Sequence, residues 1–208
     1  MPSFIKSKAG RGKVAEALIL PLGRIVADHA ADEGIDPLRL AEELARDRFN
    51  GYILLRDLAR TRQGIVMLVA GQEAGTILQV GREILTGTDA AKRITADHPA
   101  VALALTAHDL GEGQTMAASA TLVGERYFMR MPTTALNFPV ITDIWKQRKY
   151  TGIIWAGRRD KAIAAYFHRG AALGEIGRGE GRLYPGTGGL SELWKDGGVE
   201  AEAFVRLA

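Results

Sequence analysis

The sequence predicts an α+β protein made of two tandem repeats, each with a helix, a three- to four-stranded antiparallel sheet and a short helix, plus an N-terminal helix. Residues 49–53, FNGYI, recur as residues 150–154, YTGII, at an offset of 101. Glycine landmarks recur at an offset of 99: Gly71 and Gly75 as Gly170 and Gly174, and Gly87-Thr88 as Gly186-Thr187. Recurrence in the same order indicates an internal duplication, and the change of offset requires only a two-residue deletion between Leu55 and Gly64.

This reading divides the chain into four segments: residues 1–34 as an N-terminal amphipathic helix, 35–110 as repeat 1, 111–135 as a connecting hairpin and 136–208 as repeat 2. Apolar side chains at helical spacings of three and four predict the first helix, from residue 12 to about residue 32. We expect this stripe to cover a junction or to bind a partner protein. Its members are Val14, Leu18, Leu22, Ile25 and Val26.

Repeat 1 begins with a helix capped by Asp36, with Pro37 in its favoured first position. We expect that helix to end at Asn50-Gly51, because glycine tolerates the left-handed conformation past a helix end. Strands are predicted at residues 52–55, 65–69 and 76–80, with a polar hairpin and a glycine turn between them. A short helix capped by Thr88 or Asp89 and a fourth strand, 101–106, complete the repeat.

Repeat 2 follows the same order after a connecting hairpin of residues 116–123 and 126–131 around Gly124. Its helix, residues 139–149, has Ile141, Ile144 and Trp145 facing inward. Strands are predicted at residues 153–155, 162–167 and 172–176, followed by a short helix at 190–195 and a last strand at 199–207.

The composition is that of an ordinary globular protein, with 47% hydrophobic and 25% charged residues. The chain contains no cysteine, which excludes disulfides, thiolate zinc sites and a cysteine nucleophile. This composition favours a reducing cytoplasm. The sequence has no run of about 18 apolar residues, so we expect no membrane-spanning helix.

Catalytic motifs are missing from the sequence. The four histidines lack zinc-ligand spacing, and no serine lies in a Gly-x-Ser-x-Gly elbow. Residues 10–13, GRGK, lack the additional glycine and the Ser or Thr of a phosphate loop. The glycine-rich residues 177–189 do not fit the dinucleotide-binding spacing. We therefore predict no catalytic residues, no metal and no cofactor.

Positive charge concentrates in the second half of the chain. The formal net charge is +3, and residues 137–208 carry eleven Lys or Arg against eight Asp or Glu, which accounts for all of it. Such a cluster is typical either of a solvated surface or of a site for an acidic or phosphorylated ligand. Backbone amides of the glycine-rich tract could complete an anion nest there. The candidate anion-binding residues are Arg158, Arg159, Lys161, Arg178 and Arg182.

Nucleic-acid binding is a third hypothesis, since aromatic residues accompany these basic ones. Trp155, Tyr166 and Phe167, however, fall in predicted strands, where at least two should face the core. The small net charge also disfavours nucleic acid.

Each repeat resembles the PATAN-type domains of bacterial two-component and gliding-motility regulators. The similarity rests on residues 49–53 and 150–154 before the first strand, on Gly71 and Gly170 at the turn, and on the glycines that precede the short helix, residues 87–91 and 186–190. The resemblance implies a regulatory or interaction role and supplies no catalytic residues.

The leading functional prediction is therefore a non-catalytic cytoplasmic protein that acts through contacts with another protein or through self-association. The alternatives are a binder or enzyme for an anionic ligand at the basic face of repeat 2, and a nucleic-acid-binding protein.

Overall fold

A computed structural model describes residues 19–57, 61–98, 100–158, 161–178, 182–196 and 198–206. The chain divides into two compact units: unit 1 contains Gly23–Thr115, and unit 2 contains Ile19–Leu22 and Met116–Ala208. The described residues form five α-helices and two antiparallel sheets, which confirms the α+β class. None of these helices has the length and apolar character needed to cross a membrane.

Unit 1 is a six-stranded antiparallel sheet whose strands lie in the order β1-β6-β2-β3-β4-β5. Its helices α1 and α2 pack on one face. The elements are β1 (Arg24–His29), α1 (Pro37–Arg46), β2 (Gly51–Asp57), β3 (Arg62–Val69), β4 (Gln72–Val80), β5 (Glu83–Thr86), α2 (Gly87–Asp97) and β6 (Leu103–Asp109), with a 3-10 turn at Ala31–Glu33 after β1.

Unit 2 is a five-stranded antiparallel sheet in the order β10-β9-β8-β11-β7. The helix α3, Glu112–Val123, comes just before it in the chain. The remaining elements are β7 (Glu125–Pro132), a 3-10 turn (Thr133–Ala135), α4 (Phe138–Arg148), β8 (Thr151–Gly157), β9 (Ala162–His168), β10 (Ala171–Gly177), α5 (Gly188–Trp194) and β11 (Glu200–Arg206).

The two sheets share one topology. Five strands correspond in order across each sheet: β1-β6-β2-β3-β4 in unit 1 and β7-β11-β8-β9-β10 in unit 2. Unit 1 has β5 as an additional edge strand. Along the chain, each unit has one helix after its first strand and one before its last. The pairing registers also agree. β4 and β10 each carry a bulge, next to the recurring glycines Gly75 and Gly174. That the halves arose by duplication stays a prediction.

The first helix of each unit begins at a side-chain cap. Asp36 accepts a hydrogen bond from the Leu38 amide at 2.9 Å, and Asn137 accepts one from the Val140 amide at 3.2 Å. The expected end at Asn50-Gly51 was wrong, since the left-handed residue that ends α1 is Arg48, with φ 54°.

Gly51 and Gly152 have a different physical role. They lie within β2 and β8, where a Cβ would come 1.9 Å from the His108 carbonyl oxygen and 2.1 Å from the Phe204 carbonyl oxygen. The neighbouring strand therefore approaches too closely for any side chain at these positions.

The predicted N-terminal helix was wrong wherever it can be tested. Residues 24–29 form β1, which pairs antiparallel with β6 and has a bulge between Ile25 and Ala27. Over a segment as short as residues 24–29, the spacing of apolar residues does not distinguish a helix from a strand. Pairing with β6 favours the strand. Val14 and Leu18 lie outside the described residues.

The predicted connecting hairpin was wrong in its first half. Residues 112–123 form the helix α3, in which Ala117, Ala118 and Ala120 are fully buried. Alanine has the highest helix propensity, and that preference prevails over the β-branched residues nearby. The second half is a strand, β7, but its partner is β11. The short helix α2 is also preceded by Thr86, not capped by Thr88 or Asp89.

Candidate functional site

The described members of the predicted partner-binding stripe are exposed. Ile25 and Val26 on β1 are 55% and 42% exposed, and Leu22, just before the strand, is 60% exposed. β1 is an edge of its sheet, held to β6 by an ion pair of 3.1 Å between Arg24 and Asp109. The secondary structure expected for these residues was wrong, and partner binding through them stays a prediction.

Three of the five predicted anion-binding residues come together at one end of the unit 2 sheet. The Arg158 amide donates to the Lys161 carbonyl at 2.7 Å, and the Arg178 amide donates to the Ala162 carbonyl at 2.9 Å. The Arg158 guanidinium forms an ion pair of 3.1 Å with Asp196. Arg159 lies outside the described residues.

Beside these residues lies a cleft of about 310 Å³, which we call the basic cleft. Lys161 and Arg178 line it together with Ile163, Glu175 and Tyr184. Arg182 is exposed but is not among the described residues that line it. Among the residues that the structure describes, the basic cleft therefore contains two of the predicted cations and one carboxylate.

The Glu175 carboxylate is committed to the start of α5. Its two oxygens accept hydrogen bonds from the Gly189 and Leu190 amides, at 2.7 and 2.8 Å. A carboxylate is favoured at a helix start, because the first amides lack partners within the helix. Of the glycine-rich tract that the sequence offered as an anion nest, the Gly189 amide is therefore occupied by the protein's own side chain.

Unit 1 contains a second concavity that the sequence did not indicate, a groove of about 260 Å³ between α1, α2 and the sheet. We call it the helical groove. Its floor is apolar and includes the buried side chains of Val66, Leu68 and Ile94. Ala41 and Ala45, one turn apart on α1, form part of its wall.

The rim of the helical groove carries two carboxylates, Glu42 on α1 and Glu73 on β4. The Thr76 hydroxyl donates to Glu73 at 2.6 Å. Neither carboxylate forms an ion pair with a residue that the structure describes. The groove therefore combines an apolar floor with two carboxylates that form no ion pair with a described residue.

One of the four histidines, His108, is buried. His108 on β6 is 5% exposed, and its ring stacks on Tyr52 at a centroid distance of 4.8 Å. Burial lowers the pKa of His108 below its ordinary value of 6.5, opposed by a hydrogen bond to the Gly23 backbone. Burial likewise raises the pKa of Tyr52. Both rings are buried within unit 1.

The aromatic residues near the basic cluster are mostly internal. Tyr166 and Phe167 are buried, which confirms that at least two of the three strand aromatics face the interior. They cannot form a stacking platform for bases. The described residues also contain no group of three His, Asp or Glu side chains placed to bind a metal ion.

The chain matches no protein-family model, no curated protein and no solved structure at a significant level.

Proposed function

We propose that the protein is a non-catalytic interaction protein, with a regulatory or scaffold role, whose docking surface includes the exposed edge strand β1. The observation that carries the proposal is the exposure of two consecutive apolar residues of this strand, Ile25 and Val26. Apolar side chains scattered singly over a surface are ordinary, whereas a cluster on a sheet edge is typical of an interaction site.

The equivalent edge of unit 2 is protected differently. β7 carries Glu125, Arg126 and Arg130 and ends at Pro132, and charged residues and proline are the usual devices that block pairing at a sheet edge. Of its large residues, Tyr127 and Phe128 pack against the unit 2 core. β1 also carries charged residues and a bulge, and Met129 on β7 is exposed. β1 nevertheless has no proline, and two of its consecutive apolar residues are exposed, which supports β1 as the edge that meets a partner.

The resemblance to PATAN-type domains, which implies a regulatory or interaction role, supports the same class of function. A cytoplasmic location is part of the proposal and rests on the absence of cysteine.

The test compares partner capture by the tagged full chain, by an Ile25→Lys/Val26→Lys variant and by a matched Val140→Lys control. Val140 on α4 is 50% exposed, so its substitution adds the same chemistry elsewhere. We expect the double variant to lose the proteins retained by the wild type and by the control, with unchanged circular dichroism. Equal capture by all three chains would refute a role for β1.

A second candidate function, binding of an anionic or phosphorylated ligand, is favoured by the convergence of Lys161 and Arg178 on the basic cleft. Both side chains can donate charge-assisted hydrogen bonds to phosphate oxygens. The negative charge of Glu175 repels such a ligand only weakly, because hydrogen bonds from the Gly189 and Leu190 amides partly neutralise it.

A thermal-shift screen with nucleotides and phosphorylated metabolites tests the second candidate, since a ligand that binds only the folded state raises the melting temperature. We expect a shift that is lost in Lys161→Ala/Arg178→Ala and kept in Lys92→Ala, a lysine of unit 1. The absence of any shift at millimolar ligand would eliminate this candidate. Retention on nucleic acid that falls steeply with salt would instead support the third hypothesis.

A further inference from the structure

The helical groove of unit 1 lies between its first helix, α1, and the sheet. In unit 2 the equivalent space, between α4 and the sheet, contains aromatic rings. Leu68 pairs opposite Gly51, and Phe167 pairs opposite the equivalent Gly152, so these two positions correspond. Leu44 and Trp145 correspond as well, since each accepts the backbone hydrogen bond that closes its helix, from Phe49 and Tyr150 respectively.

In unit 2 the two rings contact each other in this layer. Trp145 and Phe167 form an edge-to-face pair with centroids 5.2 Å apart, and Trp145 is completely buried. Unit 1 has leucines at both positions and alanines along the adjacent face of α1. Of the two leucines, Leu68 lines the groove, beside the alanines of α1, whereas Leu44 packs against the core. A leucine where unit 2 has Phe167 fills less of the space between helix and sheet.

The size of the groove restricts what can occupy it. A volume of about 260 Å³ is at the small end for ligand pockets, which are typically roughly 300–1,000 Å³. It suits one large side chain presented by another polypeptide. An aromatic ring is the side chain that the same architecture accepts in unit 2, and aromatic anchors contribute most at protein interfaces.

The charge at the rim restricts the occupant further. Glu42 and Glu73 flank the apolar floor, and neither is neutralised by a described ion pair. A basic residue next to the ring would satisfy them, whereas an acidic one would be repelled.

From these observations we infer that the helical groove is a docking site for an aromatic side chain that is followed by Lys or Arg in a partner protein. The inference shares with the proposed function only the premise that the partner is a protein, and it concerns a surface distinct from β1.

The experiment is an NMR titration of the ¹⁵N-labelled full chain with the peptide acetyl-Gly-Trp-Lys-amide. Matched probes are acetyl-Gly-Trp-Glu-amide, which reverses the charge, and acetyl-Gly-Ala-Lys-amide, which removes the ring. We expect saturable shifts at the amides of Ala41, Ala45 and Ala91 with an affinity on the order of 1 mM, because a short flexible peptide loses conformational freedom on binding. Both control peptides should bind more weakly.

Variants localise the site. Ala41→Leu fills the groove and should abolish the shifts, and Ala91→Leu replaces it if the first variant does not fold. Glu42→Gln/Glu73→Gln should weaken binding by roughly three-fold, the scale of exposed charge pairs. Glu43→Gln is the control, since Glu43 pairs with Arg39 at 3.2 Å and does not line the groove.

Absence of shifts up to the solubility limit of the peptide, shifts elsewhere, or equal binding of the acidic peptide would each overturn the inference. Because these variants leave Ile25 and Val26 intact, this failure is distinguishable from failure of the proposed function.

Discussion

Unit 1 and unit 2 use the same topology with different side chains in the layer between helix and sheet. Unit 2 packs Trp145 against Tyr127, Tyr150 and Phe167, with ring centroids 5.2 to 6.1 Å apart. Unit 1 has Leu44 at the position of Trp145 and an open groove nearby. The same backbone plan therefore accepts either a layer packed with rings or one with smaller side chains and a groove.

The largest expected effect is loss of the central ring of unit 2. Trp145→Ala should lower the free energy of unfolding by about 3–5 kcal/mol, because it removes a fully buried aromatic residue and leaves a cavity. Leu44→Ala, at the equivalent and partly exposed position, should cost roughly 1–2 kcal/mol, less than the range for a buried leucine. Urea denaturation followed by circular dichroism measures both, and equal losses would contradict the proposed difference in packing.

Tryptophan fluorescence sharpens the same comparison, because all three tryptophans, Trp145, Trp155 and Trp194, belong to unit 2. It reports on that unit, whereas circular dichroism reports on both.

The next effect should be similar in the two units. Gly51→Ala and Gly152→Ala should each destabilise by roughly 1–3 kcal/mol, since the new methyl group overlaps a carbonyl oxygen of the adjacent strand. Gly188→Ala is the control, because no atom lies within 4 Å of the position that its new methyl group would occupy. Thermal melts would contradict the shared register if only one of the two variants were destabilised.

A smaller effect on stability should distinguish α5 of unit 2 from α2 of unit 1. Glu175→Gln should cost about 1 kcal/mol, because the neutral amide is a poorer acceptor for the amides at the start of α5. In unit 1 the register-equivalent residue, Thr76, bonds to Glu73 and makes no such cap, so Thr76→Ser should leave stability nearly unchanged. The fluorescence of Trp194, which lies on α5, provides the measurement. An unchanged unfolding midpoint for Glu175→Gln would show that the cap is unimportant.

The smallest effect concerns pH. His108 corresponds to Phe204 in unit 2, and its folded pKa lies below 6.5. The unfolded chain therefore binds the proton more readily, so stability is complete above pH 6.5 and declines as pH falls below it. His108→Phe should remove this part of the decline. Melting temperatures of both proteins between pH 7.5 and 5.5 check the sign, and parallel curves would contradict it.

Local patterns predicted most of the elements. Asp36-Pro37 located α1, and apolar runs bounded by glycine located β2, β3, β8, β9 and β10. The pattern failed at β1 and at α3, because pairing with a distant strand and the helix propensity of buried alanines are not visible in short apolar spacing. Of the predicted site residues, Lys161 and Arg178 line one cleft, and Ile25 and Val26 lie exposed on β1. Binding at either surface stays a prediction.

The sequence by itself determined the recurring glycines, the class of fold and the lack of a catalytic motif, because these depend on residue identity and spacing. Only the tertiary structure decided that Gly51 and Gly152 serve close strand approach, that Glu175 occupies the helix start, and that a groove opens beside Ala41 and Ala45. Each of these depends on residues far apart in the chain, and a groove is defined by the volume that side chains leave empty.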